Sequence, residues 1–217
     1  MRIRVNRVAR PVTVLGPGRR LGLWVQGCSI RCPGCASEDT WDPAAGRDLE
    51  VAALARSLAD AVLAERLTGV TLTGGEPTEQ GPALADLVTR VRAIVADGGA
   101  EPVDVLLFSG RTAAAAARLA PELWRAVDAA VCGPYRPDLP GSRPLRASAN
   151  QTLEILTPLG GARFARVRRP GDRAMQIHVE NGTMTLIGLP SPGDLPRLEA
   201  ALRRRGITME GRSWQTR

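Results

Sequence analysis

The chain contains no lysine and one histidine among its 217 residues, and only 3% of it is aromatic. A lone histidine excludes a site built from several imidazoles, whether a His-based metal cluster or a His acid–base pair. With so few rings, aliphatic side chains must fill the core. No apolar run approaches the roughly twenty residues that span a bilayer, and the polar, Arg-bearing start does not read as a signal peptide. The expectation is a cytoplasmic protein, in a compartment where thiols stay reduced and serve as metal ligands. All the basic residues are arginine, and the formal net charge is +7. They are scattered among 22 acidic residues without interleaved aromatics, and the one tight run, Arg203-Arg204-Arg205, falls at the end of an expected helix. The charge therefore reads as solvated surface rather than as a nucleic-acid site.

What the chain does have is 44% hydrophobic residues, enough for one sizeable core, and four cysteines. Three of these stand in Gly27-Cys28-Ser29-Ile30-Arg31-Cys32-Pro33-Gly34-Cys35, directly after the apolar run Leu21-Gly22-Leu23-Trp24-Val25. Close spacing in a Gly/Pro-bearing loop lets three thiolates converge on one small inorganic group, whereas a disulfide would pair two and strand the third. A structural zinc site wants four protein ligands, and here it would have to recruit the distant Cys132 or His178. A four-iron cluster held by three thiolates would instead keep one iron open for a non-protein ligand.

Periodicity organises the rest. Met1 to Val14 alternates imperfectly and reads as an edge strand, followed by a Gly16-Pro17-Gly18 turn and a buried strand at Leu21 to Gln26. A helix is expected from Leu49 to Ala64, then a strand from Gly69 to Thr73 ending in Gly74-Gly75-Glu76-Pro77. Next come a helix carrying Leu84, Leu87, Val91 and Ile94, a strand from Val103 to Phe108 ending at Ser109-Gly110, a helix near Thr112 to Leu119 and a strand from Val127 to Cys132. This alternation predicts an α/β fold whose right-handed crossovers wrap a parallel sheet into a partial TIM-like (β/α) barrel. Each chemically unusual segment follows a strand, on the rim where such folds build their sites. Gly133 to Asn150 reads as an irregular loop reaching over that rim.

Short strands are expected at Leu153 to Leu156, Phe164 to Val167, Met175 to Val179 and Thr183 to Ile187, the last two joined through Asn181-Gly182. A helix capped by Asp194 and closed by Gly206 follows, with a tail in which Trp214 could dock. The division is residues 1–150 as the barrel and 151–217 as a hairpin-plus-helix extension packed on the same domain. Cys132 reads as a buried core thiol and His178 as a surface residue.

The Cys-x3-Cys-x2-Cys spacing with Thr73-Gly74-Gly75-Glu76-Pro77 resembles the radical S-adenosylmethionine (SAM) superfamily. Within it, Gly16-Pro17-Gly18-Arg19, Trp24 to Cys28, Cys32 to Cys35 and Thr40-Trp41-Asp42 resemble the activating proteins of anaerobic ribonucleotide reductase. The likeness continues more weakly through Asp128 to Gly133 and Asn150-Gln151, and covers roughly the first two-thirds of the chain. The resemblance implies that Cys28, Cys32 and Cys35 ligate a [4Fe-4S] cluster whose open iron is chelated by SAM. It further implies that an electron from the cluster breaks the sulfonium bond to give methionine and a 5′-deoxyadenosyl radical. Gly74, Gly75, Glu76 and Pro77 would hold the methionine moiety. Gly34 stands where the wider superfamily often has an aromatic near the adenine, and matches the Cys-Pro-Gly-Cys form of the reductase activators.

Ser109 and Asp128, at strand ends, are candidate SAM or substrate contacts, although Asp128 begins its strand and could serve only to brace it. The implied partners are SAM, a protein or peptide substrate such as a glycyl radical enzyme, and an electron donor such as flavodoxin or ferredoxin, with no membrane. Two alternatives stand beside this reading. One is a radical SAM enzyme that modifies a peptide or another protein. The other is a non-catalytic metal-binding interaction module, which predicts no affinity for SAM.

Overall fold

The computed structural model describes all residues except 142, 169–174, 181, 191–192 and 210–217, and leaves the side chains of 166, 168 and 180 undescribed. Asn181 of the expected hairpin turn, and Trp214 with nearly all of the tail, lie outside the described residues.

Seven strands make one sheet: β1 (Arg2–Val12), β2 (Arg20–Val25), β3 (Arg47–Glu50), β4 (Gly69–Gly74), β5 (Asp104–Ser109), β6 (Ala129–Cys132) and β7 (Thr152–Ile155), in the order β3-β1-β2-β4-β5-β6-β7. The four central strands, β2, β4, β5 and β6, are parallel, while the outer pairings are antiparallel. The fold is therefore mixed α/β. Helices α1 (Val51–Glu65), α2 (Gly81–Asp97), α3 (Ala113–Leu119) and α4 (Pro121–Ala126) lie between the parallel strands in sequence.

Side chains alternate across a strand, so each central strand feeds two cores. Leu21, Leu23, Val70, Leu72, Val105 and Leu107 pack with the buried stripe Val51, Leu54, Leu58 and Val62 of α1 and its counterpart on α2. Each fully buried Leu or Val of this set contributes about 1.5–3 kcal/mol. On the opposite face Leu106, Ala129 and Val131 meet Phe164 of α5 (Pro158–Phe164). Trp24 and Phe108 meet Ile187 of a separate hairpin, β8 (Met175–Glu180) and β9 (Thr183–Gly188). The chain ends its described part with α6 (Asp194–Arg203).

Four expectations change. The first strand is not at the edge, because β3 pairs antiparallel with it from Arg2 to Val5. Only four residues long, with Arg47, Asp48 and Glu50 exposed, β3 carries no hydrophobic alternation to announce it. Phe164 to Val167 is not a strand but the end of α5 and a 3-10 helix, Ala165–Arg168. There Thr157 caps the helix by accepting from Gly160 N, and Pro158 occupies its first turn, which together favour a helix start. Asp194 lies in the first turn of α6 and Gly193 is the cap. The six-residue α4, too short to show a helical stripe, separates α3 from β6. Among the described residues no helix is long and apolar enough to cross a membrane.

Candidate functional site

Each parallel strand ends in a loop, and the loops are bonded to one another. After β2, Gly27 N donates to Thr40 O at 2.8 Å and Cys28 N to Trp41 O at 3.1 Å, folding the cysteine loop back on itself. Gln26 holds its far side, donating from Nε2 to Asp39 O and Asp42 O at 3.1 and 2.8 Å. After β4, Gly75 N donates to Val25 O at 2.9 Å and Glu76 N to Gly27 O at 2.8 Å. This contact is why both glycines are needed. Gly74 sits at φ +103°, and a Cβ on Gly75 would lie 2.0 Å from Gly27 O.

Glu76 joins the second loop to the third. Its Oε1 accepts from Thr78 N (3.0 Å), Thr78 Oγ1 (2.7 Å) and Ser109 Oγ (2.8 Å), and its Oε2 accepts from Gly110 N (2.8 Å). The residue is only 1% exposed. Gly133 N, after β6, donates to Ser109 O and Arg111 O at 3.1 and 2.8 Å. Gln151 closes the loop over residues 133–151 by donating to Gly133 O and accepting from Ala147 N and Ser148 N.

Together these loops surround a cavity of about 360 Å³, within the range of small-molecule sites. Cys28, Cys32, Gly34, Cys35, Gly74, Gly75, Glu76 and Ser109 all line it. Pro77 does not; it is buried at the start of the 3-10 helix Pro77–Gln80. Asp128 is at the far end of β6, where it accepts from Val105 N at 2.7 Å and Thr157 Oγ1 at 2.6 Å and pairs with Arg92. It braces the sheet away from the cavity. Cys132 faces the helical core at 2% exposure, where burial pushes its thiol up to about 12, with Glu154 and Glu76 adding to the effect. His178 is half-buried, its Nε2 lying 2.7 Å from Gln176 Nε2.

The donor set fits an iron–sulfur cluster. All three loop thiols are partly exposed and free, and they reach the same cavity. Yet among the described residues no three Cys, His, Asp or Glu side chains converge closely enough to hold one metal ion. Neither Cys132 nor His178 lines the cavity, so its lining offers no fourth thiol or imidazole to complete a zinc loop, whereas a cluster with one open iron needs only the three thiols. Burial raises the Cys28 and Cys35 thiols, opposed at Cys28 by the backbone N–H groups of Arg31 and Ile30 and at Cys35 by Ser37 N–H and the Trp41 indole. By strict geometry the Trp41 Nε1–H is a buried donor with no partner. Beside a cluster thiolate it would gain one.

Several residues in or behind the cavity wall carried no signal of their own in the sequence. Tyr135, from the loop after β6, places its ring edge 3.7 Å from where a Cβ on Gly34 would lie. Glu79 accepts from Ser29 N at 3.0 Å and is bonded to Ser29 Oγ, with Arg111 Nη2 3.3 Å away, so it holds the cysteine loop from outside. Leu186 to Pro190, Leu195 and Pro196 form a wall opposite the strand ends. A hydrophobic run in a hairpin does not say which cavity it faces.

Comparisons with known proteins agree with this architecture. Residues 14–154 match the model of the 4Fe-4S single cluster domain. An anaerobic ribonucleoside-triphosphate reductase-activating protein of Enterobacteria phage T4 is 32% identical over 64% of this chain and 86% of its own length. Its Vibrio cholerae counterpart is 31% identical over 68% of this chain and 95% of its own. A pyruvate formate-lyase-activating enzyme of Clostridium pasteurianum is 33% identical over 39% of this chain, which spans 37% of that enzyme. With three thiols on one cavity rim and a family match over most of the sheet, the chain belongs to the 4Fe-4S single-cluster family of radical SAM activating enzymes.

Proposed function

We propose that the chain binds SAM at a [4Fe-4S] cluster held by Cys28, Cys32 and Cys35, cleaves it reductively, and installs a glycyl radical on an anaerobic ribonucleotide reductase. The observation that carries the reading is the meeting of the three thiols with the Gly74-Gly75 backbone on one cavity. When bound, a cluster held by Cys28, Cys32 and Cys35 would supply the single electron for reductive cleavage of the SAM sulfonium, and with it the radical chemistry needed to take hydrogen from a glycine Cα. The chain's own residues bind, orient and exclude water. Gly74 and Gly75, packed against the cysteine loop, present backbone to the cavity where the methionine moiety would lie, with Gly34 opening the cluster side. Glu76 and Ser109 fix the wall that the ligand meets, and Leu15, Phe108 and Val131 keep the floor apolar.

We read the parallel centre, with its site at the C-terminal strand ends, as an incomplete (β/α) barrel; of residues 151–217, β7 and α5 complete its sheet and core, and the β8–β9 hairpin with α6 is the extension on the same domain. A reductant such as flavodoxin or ferredoxin would serve it in the cytoplasm. The test is anaerobic reconstitution with iron and sulfide, then reduction with SAM and assay of 5′-deoxyadenosine, beside a variant with Cys28, Cys32 and Cys35 all changed to Ala. Iron binding and 5′-deoxyadenosine lost together in the variant support the reading. A loaded wild type that leaves SAM intact refutes it.

A further inference from the structure

A second cavity, also of about 360 Å³, adjoins the cysteine site and has a different lining. All six residues of β9, Thr183 to Gly188, line it in unbroken succession, while β8 contributes only Met175. Side chains on a strand alternate between faces, so a cavity lying on one face would touch every second residue and the paired residues of β8 as well. Contact with every residue of β9 and only one of β8 points to a groove along the outer edge of β9, with Pro190 and Leu195 beyond the strand's end. Among the described residues β9 pairs only with β8, leaving the backbone N–H and C=O groups of this edge without a strand beside them. The opposite wall is Asn6 and Arg7 of β1 with Ala36 and Asp39 just past the third cysteine. Arg7, Ala36 and Leu186 to Gly188 line both cavities, so the groove runs directly into the cysteine site.

The hairpin that makes this edge is fixed in place. Ile187 is 2% exposed among Val12, Leu15 and Trp24. Gln176 accepts from Thr13 N at 3.0 Å and donates to Pro11 O at 2.7 Å. None of it belongs to the matched 4Fe-4S region, which ends at residue 154.

We propose that the groove along β9 is the substrate channel. An extended segment of the substrate polypeptide adds to the free edge of β9 as a third strand and so carries its target residue into the cysteine cavity. Six residues of strand span about 20 Å, long enough to hold a segment in register while leaving its end at the thiols. Backbone pairing gives the affinity and is indifferent to sequence, and the side pockets supply selection.

The inference rests on the activase reading, and its test is separable from it. The probe is the anaerobic ribonucleoside-triphosphate reductase of the same organism, mixed with the wild-type chain under hydrogen–deuterium exchange. Alternate amides within 183–188 should slow by about tenfold or more on binding, with those of β8 unchanged. Met184→Trp fills the groove without touching the cysteine cavity. It should cut reductase radical formed, read by electron paramagnetic resonance, by about tenfold or more while leaving 5′-deoxyadenosine formed without reductase within about twofold. A reductase that binds without slowing any β9 amide overturns the channel. So does a reductase that does not bind, or a Met184→Trp protein that installs the radical as well as wild type. Failure of wild type to cleave SAM sinks the activase reading instead, and the exchange experiment still judges the groove.

Discussion

Replacing Glu76 by Gln tests whether its carboxylate is the bolt between the loops after β4 and β5. The carboxylate accepts from four donors, two of them the backbone N–H groups of Thr78 and Gly110, which cannot turn away. An amide has one accepting oxygen, so whichever way the new side chain is oriented, one buried N–H faces an NH₂. The lost charge-assisted bond is worth about 1.5–3 kcal/mol and the orphaned donor costs about 1–3 kcal/mol. Because the two figures overlap, the expected penalty is about 2–4 kcal/mol. If the opening is local, that shift speeds amide exchange at Gly110 by about 30- to 700-fold, at 1.4 kcal/mol per tenfold. The assay is residue-resolved hydrogen exchange of the apoprotein, with urea unfolding beside it to separate local from global loss. Exchange at Gly110 within about threefold of wild type, with an unchanged urea midpoint, would refute the reasoning.

Arg20 is fully buried, pairs with Asp104 at 2.7 Å and donates to Thr71 Oγ1 and Val70 O, each at 2.7 Å, so Arg20→Ala should cost about 3–5 kcal/mol in urea unfolding. The double variant Arg20→Met/Asp104→Leu should recover much of that loss, since neither charge then stays unpaired. Gly75→Ala drives a Cβ against Gly27 O, a backbone atom that cannot rotate aside, and should cost about 1–3 kcal/mol while abolishing SAM binding by calorimetry. Glu50 caps α1, and hydrogen bonds from Ala52 N and Ala53 N hold its carboxyl below the usual glutamate value. That stability is complete above the ordinary glutamate pKa and disappears as pH falls through the lowered one; Glu50→Gln should flatten this acid limb in urea midpoints measured across the range. Trp41→Phe should leave the iron content unchanged and make the cluster's midpoint potential more negative, because an N–H donor beside a ligating sulfur favours the reduced state.

The parts legible in the sequence were those whose signal is local. Three cysteines in a nine-residue loop after an apolar strand, and two glycines after the next, announced where the cavity would be because each motif follows its strand directly. The alternation of buried strands with Leu/Val stripes gave α1, α2 and the parallel centre. What escaped were short elements and distant partners. The charged β3 and the six-residue α4 have too few residues to show a period. Phe164 to Val167 reads as a short strand, and only the Thr157-Pro158 start two turns earlier marks a helix. Glu79 meets Ser29 fifty positions away, and β9 meets the cysteine loop from beyond residue 180. Such pairings depend on the sheet's register, which hydrophobic pattern constrains but does not spell out.

The site is a chain of loops rather than a set of independent residues. Gly27 O receives Glu76 N, Glu76 receives Ser109 Oγ and Gly110 N, Ser109 O receives Gly133 N, and Gly133 O receives Gln151. Each loop is thus located by its neighbour's backbone, and the series runs from the cysteine loop at one end to residues 133–151 at the other. Those ends meet over the cavity, where Tyr135 covers the bare backbone at Gly34. A side chain at position 34 would have to adopt φ +70°, which L residues rarely do, so the ring is better supplied from the other end of the chain of loops. Residues linked in this way share one loss: once Glu76 or Gly75 is altered, a second change in the set should cost less than it does alone. Additive losses in a Glu76→Gln/Gln151→Ala cycle would mean that the loops are held separately by the sheet.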